Sequence, residues 1–585
     1  MAPTPSPQPL DLSHHFSYAA RNRAPSSIKE FYKYFAIPGI ANFAGGLPHP
    51  SYFPYDTLEA TVARPQRLDR SSKDDSKADR LVIPKEVPTT DPSQKIDLST
   101  ALQYGTAQGY PPLFSFLRKF TREHLHPNVP YADGPDIVLS CGNTDGFSKA
   151  VELFTNIWNP DRDWIQQREG VLCEEFTYMN AIQTIRPRGL NIVTVAVDAQ
   201  GMVAHGKGGL EDVLSNWDFR RGRRPHLMYT VTIGQNPTGG NLSIERRKEI
   251  YALCSKFDVI IVEDEPYWNL QFPSAYEKEI HHRGGSTAMS TPYDRSYNAE
   301  GKSSGYAFLD SLVPSYLSID TEGRVVRLDT FSKTVAPGSR LGWITAQPAV
   351  IERITRITEV STQQPSGFVQ AIVAQTIIGE QLTDKATRDS RSWHMDGWVR
   401  WLEGLRGGYE RRMNDMCTIL EENKYLYSEE SCEDPSSVAE HGNDWEVVER
   451  TQMLDFVWPK GGMFAWVELH LENHPLRAKY SEQRLSKAFW VHLTQKPHVC
   501  LVGPGQIFAA GPSSVQKQHR YIRVSFAPMD PGDVASYTNR LIDGFRSFWK
   551  RKNLDGLEES GDEKTLASLG NLQLNSGVSF LGPGC

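Results

Sequence analysis

The sequence has little of what would mark a disulfide scaffold, a membrane protein or a nucleic-acid binder. Only seven cysteines occur in 585 residues, and no two are spaced as a CxxC pair. This argues against a disulfide framework and a zinc ribbon, and it favours reduced thiols in a cytoplasmic protein. No window approaches the roughly 18 apolar residues that a membrane-spanning helix needs. Residues 1–25 are rich in Pro and Ser and lack the apolar core of a secretory signal, so a disordered lead-in is expected there. Lys and Arg number 63 against 70 Asp and Glu, a net charge of −7 without a basic stripe, so no nucleic-acid partner is expected. His14-His15 and His281-His282 fall in polar segments without metal-ligand spacing, and no bound metal is expected.

What is present fits a globular protein of more than one domain. Hydrophobic residues make up 39% and charged residues 23%, enough apolar material for a sizeable core. Four polar stretches read as poorly packed: 1–25, about 61–97, about 277–306 and 422–450, with a Gly/Ser-rich tail over 552–585. Between them, short β-rich runs alternate with helical patterns. Ile137-Val138-Leu139 leads into Phe147, Ala150, Val151 and Phe154 at helical spacing. Leu227 to Val231, Val259 to Val262 and Val325 to Leu328 are further strands. Near-continuous apolar strands separated by helices indicate an α/β fold, with a mostly parallel central sheet covered on both faces. The division expected is an arm over 26–100, a large domain over 101–375 and a smaller α+β domain over 376–551. Met463 to Leu469, Val499 to Val502 and Tyr521 to Phe526 are the strands expected in the smaller domain.

Ligands in open α/β sheets sit beyond the carboxyl ends of the strands, and four strand ends carry unusual polar residues. Ser140-Cys141-Gly142-Asn143-Thr144 follows the first strand and opens a helix. Asn236-Pro237-Thr238-Gly239 follows the second, Asp264-Glu265-Pro266-Tyr267 the third, and Thr330-Phe331-Ser332-Lys333 the fourth, with Arg340 soon after. Each has an ordinary explanation alone: a turn, a surface acid, a solvated lysine, a helix cap. All four in one order, each at a strand's carboxyl end, are improbable by chance.

This set resembles the fold-type I pyridoxal 5′-phosphate (PLP) aminotransferases, in the branch acting on aromatic amino acids, kynurenine and 2-aminoadipate. Phe43-Ala44-Gly45-Gly46-Leu47-Pro48 and Pro459-Lys460-Gly461-Gly462-Met463-Phe464 also read like that branch. The resemblance spans about Phe31 to about Lys550. It implies that Lys333 carries the cofactor as a Schiff base and that Asp264 keeps its ring nitrogen protonated. Asn236 and Tyr267 would donate to its phenolate, and Tyr178 would stack on its ring. Its phosphate would sit at the helix start near Asn143 and Thr144, with Thr330, Ser332 and Arg340. Tyr104 would reach that phosphate from a second subunit, implying a homodimer. Arg523 matches the arginine that grips the substrate's α-carboxylate, with Asn236 as a second contact and Gly46 and Leu47 lining the side-chain pocket. Lys29 stands where some relatives carry an arginine for acidic side chains.

The expected reaction therefore moves an amino group from an aromatic amino acid to a 2-oxo acid such as 2-oxoglutarate. A PLP-dependent lyase or synthase on the same fold stays open at this point, because the cofactor contacts are shared. A transcription regulator would need a DNA-binding module ahead of residue 30, and 25 Pro/Ser-rich residues cannot form one. One departure from the family is large: 69 residues separate Asp264 from Lys333, about twice the usual interval, and a surface loop around 277–306 should absorb the excess.

Overall fold

The computed structural model describes residues 6–26, 34, 37, 39–41, 43, 46–68, 78–284, 301–379, 393–427 and 450–557. Seven strands form its central sheet: β1 (Asp136–Ser140), β2 (Gly170–Glu174), β3 (Asn191–Val195), β4 (Leu227–Thr230), β5 (Ile260–Asp264), β6 (Val325–Thr330) and β7 (Gly342–Ala346). Their order is β1-β7-β6-β5-β4-β2-β3, and every pairing is parallel except the two made by β7. Helices cover both faces, as the apolar runs require. On one face Val138, Val262, Leu328 and Ile344 pack with Phe147, Ala150 and Val151 of helix α1 (Asn143–Phe154). On the other, Leu172, Met228 and Ile261 meet Ile250, Leu253 and Cys254 of helix α2 (Ile244–Phe257).

Beneath that second face lies a buried charge cluster. Arg247 on α2 donates to Glu263 at 2.7 Å, and Arg327 on β6 bridges Glu263 at 3.1 Å and Asp329 at 3.0 Å. Its charges pair with one another, so removing one would leave a buried charge unpaired at a cost of about 3–5 kcal/mol. Strand alternation explains the division of labour along β5. Glu263 and Glu265 turn to this cluster, whereas Asp264 turns to the opposite face.

The smaller domain is built on the 29-residue helix α3 (His394–Glu422), helix α4 (Val534–Trp549) and an antiparallel sheet. Its strands are β8 (Leu454–Phe456), β9 (Phe464–Leu469), β10 (Gly503–Pro504) and β11 (Tyr521–Ser525), in the order β8-β9-β11-β10. Its core runs continuously into one face of the large sheet. Among the described residues, no helix is long and apolar enough to cross a membrane.

Several expectations are corrected. Residues 6–25 are not disordered: Leu12, Phe16 and Ala20 are buried, and Leu10 N–H donates to the Glu322 carbonyl. Within the stretch 61–97, residues 69–77 lie outside the described residues and the flanking parts are packed. Thr57–Ala63 and Ala78–Pro84 pair as antiparallel strands, with Leu81 and Ile83 buried. The 277–306 stretch begins as helix, since Ser274–Arg283 is helical, and 285–300 lies outside the described residues. In 422–450, Tyr425–Tyr427 pairs with Arg450–Gln452, and 428–449 lies outside the described residues. The tail packs at its start, where Leu554 and Leu557 are buried, and from 558 onward it lies outside the described residues. Val499 to Val502 is not a strand; Val499 has φ +47° and the pairing falls to Gly503–Pro504.

Candidate active site

A cavity of about 1860 Å³ opens at the carboxyl ends of the central strands, between the two domains. Eleven of the fourteen site residues expected from the sequence line it, Lys333 among them. Strand geometry delivers them: β4, β5 and β6 are parallel neighbours, so the residues after each emerge on the same edge.

Asp264 closes β5 and is buried. Tyr229 Oη donates to its Oδ2 at 2.7 Å and Asn143 Nδ2 to its Oδ1 at 2.6 Å. Burial pushes the Asp264 carboxyl up to about 6, and the two donors pull the other way by favouring the charged form. Asn143 also donates to the Leu328 carbonyl at 3.0 Å. Its side chain is therefore committed to the acid, and the helix start offers backbone N–H groups and Thr144 instead. Tyr229 is a site residue that sequence reasoning missed, because a tyrosine inside a buried strand reads as core.

The loop after β6 and the start of α1 form a cup suited to an anion. Arg340 Nη1 donates to Ser332 Oγ at 3.2 Å and Nη2 to the Cys141 carbonyl at 3.2 Å. Thr330 Oγ1 donates to Ser332 Oγ at 2.9 Å. Gly142, at φ +91°, is where α1 begins, and a Cβ there would stand 2.5 Å from Arg340 Nη2. A guanidinium, hydroxyls and a helix N-terminus converging on a cradle that a methyl group would fill can hold a phosphate dianion.

Opposite this cup, β11 presents Arg523. Its Nη1 donates to Asn236 Oδ1 at 2.7 Å, and its guanidinium carbon lies 4.1 Å from the Phe464 ring centre and 4.7 Å from that of Phe508. The two rings flank a flat cation and fix the plane of its fork. Both phenylalanines were missed by the sequence reading. Asn236 is brought in by a close backbone approach: Gly234 Cα and Gly462 abut so tightly that a Cβ on Gly234 would lie 2.3 Å from Gly462 Cα. Tyr267 is buried, packs edge-on at 6.0 Å to Phe464, and has its hydroxyl pushed up by that burial. Tyr178 caps the helix Met179–Ile185 at the cavity wall and accepts from Asn180 Nδ2 at 2.7 Å.

Three expected residues are not among those lining the cavity. Tyr104 and Gly46 are exposed and Leu47 is half-buried. They share one patch, since Gln103 Nε2 donates to the Pro48 carbonyl at 2.7 Å. Lys29 lies outside the described residues.

A lysine, a buried acid, an anion cup and an arginine held between two rings thus surround one cavity in this fold. The chain belongs to the aminotransferase class I and II family, whose pattern matches residues 93–396. It is 34% identical over 466 residues to an aromatic amino acid aminotransferase of Schizosaccharomyces pombe, covering 79% of this chain and 83% of that one. It is also 34% identical over 481 residues to the L-tyrosine:2-oxoglutarate aminotransferase of Tapinella panuoides, covering 81% and 77%. The crystal structure of aminotransferase Aro8 from Candida albicans superposes with a TM-score of 0.70 at 30% identity, covering 93% of this chain and 99% of that one. These relatives favour amino transfer over the lyase or synthase alternative.

Proposed function

We propose that this aminotransferase takes the amino group of an aromatic amino acid, with kynurenine and 2-aminoadipate as further donors, and passes it to a 2-oxo acid such as 2-oxoglutarate. PLP is the cofactor, held by Lys333. The observation that carries this reading is the meeting of Lys333, Asp264, Tyr267 and Arg523 in one cavity. The residues fit the cofactor. The cup of Thr144, Ser332, Thr330 and Arg340 matches a phosphate, and Asp264 matches a ring nitrogen that must stay protonated. When bound, PLP supplies an electron sink for the bond broken at the substrate's α-carbon.

The chain's own groups do the rest. Lys333 Nζ takes the proton from the substrate's α-carbon. Asp264, held ionised by Tyr229 and Asn143, keeps the proton on the ring nitrogen. Tyr267 and the Asn236 amide would donate toward the cofactor's phenolate, and the Tyr178 ring would flank the cofactor. Arg523 binds the α-carboxylate of donor and acceptor alike, so one site serves both half-reactions. The active unit is a homodimer in which Tyr104, Gly46 and Leu47 serve the partner's cavity. Their shared exposed patch, outside their own cavity, supports this. The aromatic preference is supported by the relatives from S. pombe and T. panuoides, an aromatic amino acid aminotransferase and an L-tyrosine:2-oxoglutarate aminotransferase.

The test is a half-transamination screen followed by steady-state kcat/KM. PLP-loaded enzyme is mixed with phenylalanine, tyrosine, tryptophan, kynurenine, 2-aminoadipate, aspartate or alanine, and the cofactor absorbance is followed. Aromatic donors should convert it fastest. Alanine or aspartate exceeding every aromatic donor overturns the substrate assignment, and no conversion by any donor overturns the reaction. Lys333→Ala should lose the borohydride-fixable adduct, and retention would exclude that lysine.

A further inference from the structure

The packed lead-in brings two histidines against an acid far away in sequence. His14 Nε2 lies 2.8 Å from Asp258 Oδ2, and His15 Nε2 lies 3.0 Å from Asp258 Oδ1. The three ligand-type atoms all fall within 4.8 Å of one another. His14 is exposed, whereas the His15 side chain is only 7% exposed. The buried His15 Nε2 and the exposed His14 Nε2 thus converge on one carboxylate.

We propose that His14, His15 and Asp258 form a binding site for a divalent transition-metal ion of the zinc type, which fastens the lead-in to the large domain. Two imidazole nitrogens and one carboxylate oxygen are a recurrent ligand set for such ions, with a water in the remaining position. Ligand atoms about 2.0–2.2 Å from a tetrahedral ion stand roughly 3.3–3.6 Å from one another. Small outward rotations of the rings from 2.8 and 3.0 Å therefore open the space. The His15 ring is held from behind by His226, stacked at 5.0 Å between centres, and His226 is itself fixed by a 2.8 Å hydrogen bond between Nε2 and the Phe154 carbonyl. Arg324 Nη1 approaches Asp258 Oδ1 at 3.5 Å, but its Nη2 is paired with Glu322 at 2.5 Å, which offsets its charge.

The site stands apart from the catalytic cavity. Asp258 ends α2 in a left-handed conformation, φ +56°, ahead of β5, while Asp264 closes that strand. Six extended residues span roughly 20 Å. The sequence concealed this arrangement because the third ligand is 243 positions from the second.

The experiment titrates the full-length, PLP-loaded, metal-free enzyme with Co2+ and with Zn2+. Asp258→Asn is the decisive variant, because Asn tolerates the left-handed conformation as Asp does. His14→Gln, at an exposed position, is the second. The wild type should bind one ion per chain, with a visible Co2+ absorption that Zn2+ displaces and with slowed proteolysis of residues 6–25. Loss of a direct ligand should weaken binding by more than the ~10–100-fold typical of indirect ones, with transaminase activity unchanged in both variants. Absence of a saturable ion, or equal binding by wild type and Asp258→Asn, overturns the proposal. Binding lost in Asp258→Asn but kept in His14→Gln overturns the three-ligand set.

Discussion

Tyr229 and Asp264 stand on neighbouring parallel strands, and the tyrosine hydroxyl donates a 2.7 Å hydrogen bond to the carboxylate. Both are buried, so no water replaces that donor if it is removed. A hydrogen bond to a charged group contributes about 1.5–3 kcal/mol. Tyr229→Phe should therefore lower kcat about tenfold or more and move the acid limb of its pH profile upward by about one unit. A profile that superposes on the wild type would show that Asn143 alone holds the acid.

Asp264→Asn separates catalysis from stability. The variant should still bind PLP but lose about 100-fold or more in turnover, because a neutral amide cannot hold the ring nitrogen protonated. Stability of the cofactor-free protein should move the other way. Burial raises the folded Asp264 carboxyl to about 6, above its ordinary value of about 3.9. A raised group favours the folded state most fully below its unfolded value, and that contribution is lost as pH rises through about 6. From pH 4 to pH 7 the wild type should lose up to about 3 kcal/mol relative to Asp264→Asn. Denaturant titrations at both pH values measure the difference, and a constant difference refutes it.

Gly142→Ala tests the anion cup. The added methyl meets Arg340 Nη2 at 2.5 Å, at a φ of +91° that alanine rarely adopts. The expected result is PLP affinity reduced by about tenfold or more, with a strain cost of about 1–3 kcal/mol. Unchanged cofactor affinity would move the phosphate site elsewhere.

Arg523→Lys keeps the charge and removes the fork. KM should rise about 100-fold for amino donors and 2-oxo acids alike, equivalent to about 2.7 kcal/mol. Phe508→Leu loosens one wall of the sandwich and should give a smaller rise of the same kind. An effect on only one substrate class would mean that donor and acceptor carboxylates bind at different sites.

Mixing two inactive proteins tests the shared site. Lys333→Ala and Tyr104→Phe protomers, combined under conditions that exchange subunits, should regain part of the activity through hybrid dimers carrying one intact cavity. A fully active monomer at assay concentration would exclude the arrangement.

The sequence by itself determined the candidate set that lines the cavity and its order along the chain. Each polar motif is tied to a strand's carboxyl end by a local pattern of apolar residues, and parallel strands place those ends on one edge whatever the loops between them do. The packed lead-in was also within reach, since Leu12, Phe16 and Ala20 recur every fourth position amid the Pro and Ser. Only the tertiary structure decided which neighbours serve each site residue. Tyr229 and Asn143 on Asp264, Phe464 and Phe508 about Arg523, and Asp258 under His14 and His15 are pairings across 15 to 244 positions. No periodicity encodes such pairings. They are set by strand order, by the close approach of Gly234 to Gly462, and by where each helix ends on the sheet.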